Sequence, residues 1–145
     1  MASPSADIQV FNQTESDIPI AAEKYSSVAS TLFESEGCAF NFVEVVYVDE
    51  NEIVRINKEY LERDYVTDII TFRYDESPDN QAIEGTMFCC APRIRQQAAE
   101  FNESPKEEFL RIYIHGLLHL AGYEDKTDKQ KQQMTAKENE YLGKS

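Results

Sequence analysis

Residues 105–120 read PKEEFLRIYIHGLLHL, and apolar side chains occupy nearly every side of the helix that this segment predicts. Ser104 lies three residues before Glu107, which is the spacing of a capping box, and Pro105 suits the first helical position. Gly122 indicates that the helix ends before it. A helix that is apolar all round is normally buried, so we expect this segment to lie inside the core.

Strand and helix patterns surround this segment. The predicted strands are 8–11, 40–48, 67–74 and 85–90. The other predicted helices are 19–33 before Gly37, one capped by Asp49 or Asn51, one from Pro92 to Phe101, and a polar outer one from Thr127 to Leu142. Because no repeat, low-complexity tract or linker interrupts the chain, we predict a single α+β domain over residues 1–145. It would have about four strands and four to five helices.

The charge balance of the chain is acidic. Lys and Arg number 14 against 27 Asp and Glu, and the net charge of −13 argues against a protein that binds nucleic acid by overall charge alone. The basic residues in the middle of the chain leave two interpretations open, a local basic surface and scattered solvated charges. These residues are Arg55, Lys58, Arg63, Arg73, Arg93 and Arg95.

Signals for secretion and membrane insertion are missing from the sequence. No apolar run approaches the ~18 residues of a membrane span, and Met1–Asp7 lacks the basic and apolar regions of a signal peptide. Cys38, Cys89 and Cys90 form no C-x-x-C pair, so neither a disulfide framework nor a cysteine zinc site is predicted. We therefore expect a cytoplasmic protein with no membrane partner.

His115 and His119 are the only histidines of the chain and its strongest chemical signal. Their spacing places both imidazoles on one face of the predicted helix, from which they can reach one metal ion. Two hydrogen-bonded core histidines are the structural alternative. A metalloprotease of the H-E-x-x-H kind is disfavoured, because Gly116 stands where that enzyme has its general base.

The third metal ligand has three candidates. A catalytic zinc site usually has three protein ligands and one open position. Gly122 can turn the chain back past the helix end, and Glu124, Asp125 and Asp128 follow it. Asp125 or Thr127 could instead cap the last helix. Spacing alone leaves the choice among the three carboxylates open.

Three segments resemble the YbeY family of bacterial endoribonucleases. Residues 115–125, HGLLHLAGYED, are similar to the family signature H-G-x-L-H-L-x-G-Y-D-H. Residues 56–72, INKEYLERDYVTDIITF, are similar to L-N-x-x-Y-R-x-x-D-x-P-T-D-V-L-S-F without a gap. Residues 85–87 are similar to a third, shorter motif, and the resemblance covers roughly residues 40–142.

Within this resemblance the metal ligands are His115, His119 and Asp125, and they imply one zinc ion per chain. Glu124 replaces the Asp of the signature and Asp125 replaces its last His. An aspartate at that place keeps an oxygen donor for the metal and makes the site one charge more negative than three histidines would.

The resemblance also implies a fold and a function. The fold is a small mixed sheet with the metal-binding helix packed on it. The function is that of a zinc-dependent, single-strand-specific endoribonuclease in the maturation of ribosomal RNA, notably the 3′ end of the small-subunit rRNA, and in ribosome quality control. The implied partners are single-stranded RNA and the ribosomal small subunit or its proteins.

The chain departs from the family at Leu61, where the resemblance places an Arg that serves catalysis or RNA contact. Arg63 is our prediction for the catalytic arginine, provided that it lies in a loop; if residue 61 is still helical, we expect Arg63 to face elsewhere. Arg55 and Arg73 are further candidates for substrate binding. Thr67 and Asp68 form a turn, a strand-edge pair or part of a cleft lining, and in the last case Asp68 is a further candidate for substrate binding.

Two other classes of function remain open. One is a metal-dependent hydrolase acting on a small molecule or peptide, and a strong salt dependence of substrate binding would favour RNA over it. The other is a non-catalytic ribosome-assembly factor with a structural zinc, to which Glu124 or Asp128 would have to add a fourth ligand.

Overall fold

Four strands form one mixed sheet in the computed structural model, which describes residues 6–145. They are β1 (Asp7–Asn12), β2 (Phe40–Val48), β3 (Ile69–Arg73) and β4 (Ile83–Cys90). Their order is β1-β2-β4-β3, with β1, β2 and β4 parallel and β3 antiparallel to β4. The predicted α+β class is confirmed. Most of the stretch Met1–Asp7, in which no signal peptide is predicted, lies outside the described residues.

Five helices accompany the sheet in the described part of the chain. They are α1 (Ala22–Glu36), α2 (Glu50–Leu61), α3 (Ala91–Glu100), α4 (Pro105–Leu120) and α5 (Asp128–Gly143). α1 begins later than the predicted Pro19, because the backbone of Ala21 is still extended. Among the described residues, no helix has both the length and the apolar character needed to cross a bilayer.

The helix ends are fixed by residues that the sequence analysis named. The side chain of Asp49 accepts a backbone hydrogen bond in the first turn of α2, and Gly37 ends α1 in the left-handed region with φ of 76°. Ser104 accepts a backbone hydrogen bond at the start of α4, although only this half of the predicted capping box is found there. Thr127 and Gln130 form a complete capping box at α5. Each cap satisfies a backbone group that the helix leaves without a partner.

The sheet separates two apolar clusters because successive strand residues point to opposite faces. Cys89 belongs to the larger cluster, which contains the buried face of α4, and Cys90 belongs to the smaller one under α2. Both thiols are buried, as expected of core residues.

Helix α4 lies close against β3 and β4. A side chain at Gly116 would meet the Cδ1 atom of Ile69 and the Sδ atom of Met87, each at 2.8 Å from its Cβ. Ten residues of the helix are buried, which confirms the prediction that it lies inside the core. Gly116 therefore has a packing role as well, since it allows the histidine-bearing helix to approach the sheet.

Helix α5 is less separate from the body of the protein than its polar sequence predicts. Met134, Glu138 and Tyr141 are buried on one side of it. Their spacing of four and three residues is that of one helical face, which packs against α4 and α1. The expectation that this helix lies wholly outside is wrong for these three positions.

Candidate metal centre

The imidazoles of His115 and His119 face each other on α4, with ring centroids 4.4 Å apart. Gly122, with φ of 102°, turns the chain back after the helix and brings Asp125 to the pair. The Oδ2 atom of Asp125 lies 3.5 Å from Nε2 of His115 and 3.4 Å from Nε2 of His119. Each residue thus offers one ligand atom, and the three atoms all lie within 4.8 Å of one another.

The second nitrogen of each ring is held by another group. Nδ1 of His119 lies 2.9 Å from the carbonyl oxygen of Tyr123, and Nδ1 of His115 lies 2.6 Å from Oε2 of Glu138. A carbonyl oxygen only accepts, so Nδ1 of His119 carries the proton and donates it. The same arrangement at His115 leaves both Nε2 atoms free to face Asp125. Outer partners of this kind fix the orientation of metal-binding imidazoles.

Neither outer partner was found by sequence reasoning. Glu138 is a carboxylate on an otherwise polar helix, and its one signal is the spacing of Met134, Glu138 and Tyr141 on a single helical face. Glu138 also accepts a hydrogen bond of 3.3 Å from Nη1 of Arg111, so its charge is balanced on the side away from the histidine.

The side chain of Tyr123 is held by residues of two other helices, α1 and α5. Its hydroxyl donates a hydrogen bond to Glu36 at the end of α1, and Tyr141 of α5 donates to the same carboxylate. Lys137 of α5 completes the group, with Nζ 2.8 Å from Oε2 of Glu36. The backbone that holds His119 is therefore connected to both α1 and α5.

The surroundings of His115 favour a positive charge. Burial by itself lowers the pKa of His115, but the hydrogen bond that His115 donates to Glu138 and the negative charges of Glu138, Asp68 and Asp125 outweigh it and raise the pKa above its usual value. The same carboxylates also attract a metal cation. Two imidazoles and one carboxylate form a donor set that fits zinc, and three protein ligands leave one coordination position open.

The other two carboxylate candidates lie elsewhere. Oε2 of Glu124 accepts a hydrogen bond of 3.4 Å from Gln130 in the first turn of α5. Asp128 is the first residue of α5, after the Thr127 cap. Neither lines the cleft at the histidines, so the structure brings Asp125 alone of the three to the pair.

A cleft of about 290 Å³ opens beside the histidines. His115, His119 and Asp125 line it together with residues from the end of α2 to β3, among them Leu61, Arg63, Tyr65 and Asp68. Leu61 is the last residue of helix α2, and Glu62 adopts the left-handed conformation with φ of 56°. Arg63 therefore lies in a loop and lines the cleft, so the expectation that a helical residue 61 turns Arg63 away is wrong. The left-handed residue 62 redirects the chain after the helix. Of the residues lining this cleft in the described part of the chain, Arg63 is the only Lys or Arg.

Asp68 also lines this cleft. Its Oδ2 atom accepts a hydrogen bond of 3.3 Å from Gln97 of α3. Its charge contributes to the raised pKa of His115, so the carboxylate acts on the histidine side of the cleft.

The remaining two predicted substrate-binding residues do not line the cleft. Arg55 is exposed on α2, where it pairs with Glu52 and Glu59. Arg73, at the far end of β3, pairs with Asp75 at 2.8 Å and lowers the pKa of that carboxyl far below its usual value. Acidic neighbours thus neutralise both arginines, so neither adds a free positive charge to a basic surface.

Comparison with known proteins identifies relatives over nearly the whole chain. The sequence model of the family described as Endoribonuclease YbeY matches residues 9–145. A protein of Chlorobium limicola named Endoribonuclease YbeY is 36% identical over 137 residues, which cover 94% of this chain and 92% of the relative. A protein of the same name from Cytophaga hutchinsonii is 36% identical over 113 residues, 78% of each chain.

A solved structure is similar as well. The solution structure of TM1509 from Thermotoga maritima has a TM-score of 0.63 and 28% sequence identity, and the match covers 93% of this chain and 86% of that one.

Proposed function

The chain belongs to the YbeY family of endoribonucleases, and on that premise we propose that it is a zinc-dependent enzyme that cleaves single-stranded RNA in the maturation of ribosomal RNA. The family makes it a hydrolase that cuts phosphodiester bonds within RNA. The finer proposal is that it forms the 3′ end of the small-subunit rRNA and takes part in ribosome quality control. It would act in the cytoplasm, as one domain over residues 1–145, together with the ribosomal small subunit or its proteins.

The observation that carries this proposal is the convergence of His115, His119 and Asp125 on a cleft that Arg63 also lines. Three ligands and an open position are typical of catalytic zinc, whereas structural zinc normally has four protein ligands. This favours an enzyme over an assembly factor with a structural metal. When bound, zinc supplies Lewis-acid chemistry to a phosphodiester.

The chain's own groups have distinct parts in the proposed reaction. The guanidinium of Arg63 binds the phosphate and stabilises the negative charge that develops on its oxygens. Asp68 presents carboxylate oxygens that can accept a hydrogen bond from a ribose hydroxyl, a group that distinguishes RNA from DNA. Glu138 and the Tyr123 carbonyl hold the proton on Nδ1 of each histidine, which keeps Nε2 available as a metal ligand.

The proposal is tested by metal analysis of the purified protein together with cleavage of single-stranded and duplex RNA of equal sequence. We expect about one zinc per chain, cleavage of the single strand, and loss of both metal and activity in His115→Ala. Full metal content in that variant would contradict the site. Binding that does not change with salt would point instead to a small-molecule or peptide hydrolase.

The ribosomal part of the proposal needs its own experiment. Cells depleted of the protein should accumulate small-subunit rRNA with an unprocessed 3′ end, and the normal chain but not His119→Ala should restore processing. Normal 3′ ends in depleted cells would overturn this part while leaving the nuclease activity standing.

A further inference from the structure

Tyr65 is a large aromatic side chain that lies on the rim of the cleft and remains 53% exposed. No role in the proposed metal site or in phosphate binding accounts for it. Its ring is not among the aromatic pairs of the described residues, unlike the neighbouring exposed Tyr60, which packs edge-on against Phe72 at 5.4 Å. Tyr65 therefore offers a free aromatic surface at the place where substrate enters.

The position of Tyr65 is fixed although its ring is exposed. The buried amide of Asn57, itself 1% exposed, donates a hydrogen bond of 3.0 Å from Nδ2 to the carbonyl oxygen of Tyr65. The backbone N–H of Arg63 donates to the carbonyl oxygen of Asn57 at 3.2 Å. One buried residue of α2 thus holds both ends of the segment 63–65, so the backbone that carries the ring needs little further ordering when a ligand binds.

Arg63 and Tyr65 are also adjacent through their side chains. Nη1 of Arg63 donates to the hydroxyl of Tyr65 at 3.3 Å. A cationic group suited to a phosphate therefore stands beside an aromatic face suited to a base. Phosphate and base alternate in the same way along a single nucleic acid strand, whereas in a duplex both faces of each base are covered by its neighbours.

We propose that Tyr65 is a base-stacking residue, on which an unpaired base next to the phosphate held by Arg63 packs its face. This inference rests on the proposed function and names a subsite of the same cleft. It assigns the preference for single-stranded RNA in part to Tyr65, because only an unstacked base can reach the ring. Stacking on an aromatic ring accepts any base, so the subsite selects unpaired structure more than sequence.

Single-turnover cleavage of a fluorescent single-stranded RNA tests this subsite in the zinc-loaded protein. The rate measured against protein concentration separates the half-saturating concentration from the maximal rate. Tyr65→Ala should raise the half-saturating concentration about tenfold, the usual effect of losing one stacked base. Tyr65→Phe should stay within about twofold of the parent, because its ring still stacks. Tyr74→Ala is the matched control, since Tyr74 is 56% exposed but lies at the far end of β3.

An RNA with one abasic nucleotide separates stacking from a general disturbance of the loop. When the abasic nucleotide is next to the cleaved bond, the half-saturating concentration of the parent protein should rise by the same factor as it does in Tyr65→Ala with intact RNA. In Tyr65→Ala the abasic RNA should cause no further rise. Additive losses, or a Tyr65→Ala variant that cleaves naked RNA like the parent, would overturn the proposal; in the latter case Tyr65 would be free to contact a protein. A parent that cleaves no single-stranded RNA would refute the proposed function itself, and that failure appears before any variant is made.

Discussion

Arg63 lies in the loop before β3 and Arg73 is the last residue of this strand, and the two arginines are used differently. At the far end, Arg73 places Nε and Nη2 on Asp75 at 2.8 and 3.0 Å and Nη1 on the Leu120 carbonyl at 3.0 Å. In the loop before β3, the side chain of Arg63 lines the cleft, and its one hydrogen bond to another residue within 6–145 is to the Tyr65 hydroxyl. An arginine whose donors are satisfied within the protein holds the fold, whereas one with free donors beside a metal site is available to a ligand.

This comparison predicts that changes on the cleft side impair binding and catalysis, and that changes at the far end impair stability. The largest effect is expected for Asp125→Ala, which removes one of three ligands. Zinc affinity should fall by more than about 100-fold, beyond what outer partners contribute, and cleavage should be lost with it. Asp125→His should retain zinc, because an imidazole is an equally good donor.

Isothermal titration with zinc after removal of the bound metal measures both variants. Asp128→Ala is the matched control, since it removes a nearby carboxylate that does not line the cleft. A loss of affinity in Asp128→Ala together with normal affinity in Asp125→Ala would reverse the assignment of the third ligand.

The second-largest effect is expected for Arg63→Ala. Its cleavage rate should fall about 100-fold, which is the size expected when one group that stabilises developing charge is removed. Its free energy of unfolding should change by less than about 0.5 kcal/mol, as for a surface substitution. Cleavage kinetics and urea unfolding of the same preparation provide both numbers. If Arg63→Ala unfolds at a lower urea concentration than the parent but cleaves RNA at the normal rate, Arg63 stabilises the fold as Arg73 does.

Arg73→Ala should show the opposite behaviour. Without its partner the carboxylate of Asp75, whose side chain is 7% exposed, loses its charged hydrogen bonds. We expect a loss of about 2 kcal/mol in the free energy of unfolding, a factor of about 30 in the equilibrium. Per folded molecule, the cleavage rate and the salt dependence of RNA binding should remain those of the parent. If the RNA binding of Arg73→Ala depends less on salt than that of the parent, Arg73 contacts the RNA and is a substrate-binding residue.

Glu138→Gln tests the outer partner of His115 with little change of shape. Zinc affinity should fall about tenfold, because the amide holds the Nδ1 proton less strongly than the carboxylate does. Competition with a chromogenic chelator measures this change. Glu140→Gln on the same helix is the control, as Glu140 does not contact the histidines. If Glu138→Gln binds zinc as tightly as the parent, the Glu138 carboxylate does not support the metal site and contributes only to packing.

The smallest effect is a pH dependence of the metal-free protein. The pKa of His115 is raised in the folded state, so the charged imidazole stabilises the fold fully below the unfolded value of about 6.5. That contribution is lost as pH rises through the folded pKa. Urea unfolding with chelator should therefore give a larger difference between the parent and Glu138→Gln at pH 6 than at pH 8. A difference that grows with pH would contradict the raised pKa.

The sequence predicted the parts of the molecule that depend on local pattern. The strand 40–48, the cap at Ser104 and the burial of α4 follow from periodicity and hydrogen-bonding side chains. The caps at Asp49 and Thr127 were each one of two predicted alternatives. Spacing also placed the two histidines on one face. These features need only a few neighbouring residues to be recognised.

Features that depend on distant parts of the chain could not be derived in the same way. Spacing left the third ligand open, and Asp125 was selected only through the family resemblance. The partners of Arg73 at Leu120 and of His115 at Glu138 are separated from them by 47 and 23 residues. Whether an arginine is neutralised or free depends on which acid the fold brings to it, and the charge pattern of the sequence does not contain that information.

The dependence of both histidines on α5 has a consequence for the order of events during synthesis. Glu138 orients His115 directly, while Tyr141 and Lys137 secure Glu36, which in turn holds Tyr123 beside His119. His115, His119 and Asp125 are all synthesised before α5, yet Nδ1 of His115 has no Glu138 partner until that helix has left the ribosomal tunnel and docked. A nascent chain therefore carries the three side chains of the candidate metal centre before the centre is complete. The ribosome that makes the proposed nuclease would be exposed to its activity only after α5 is in place.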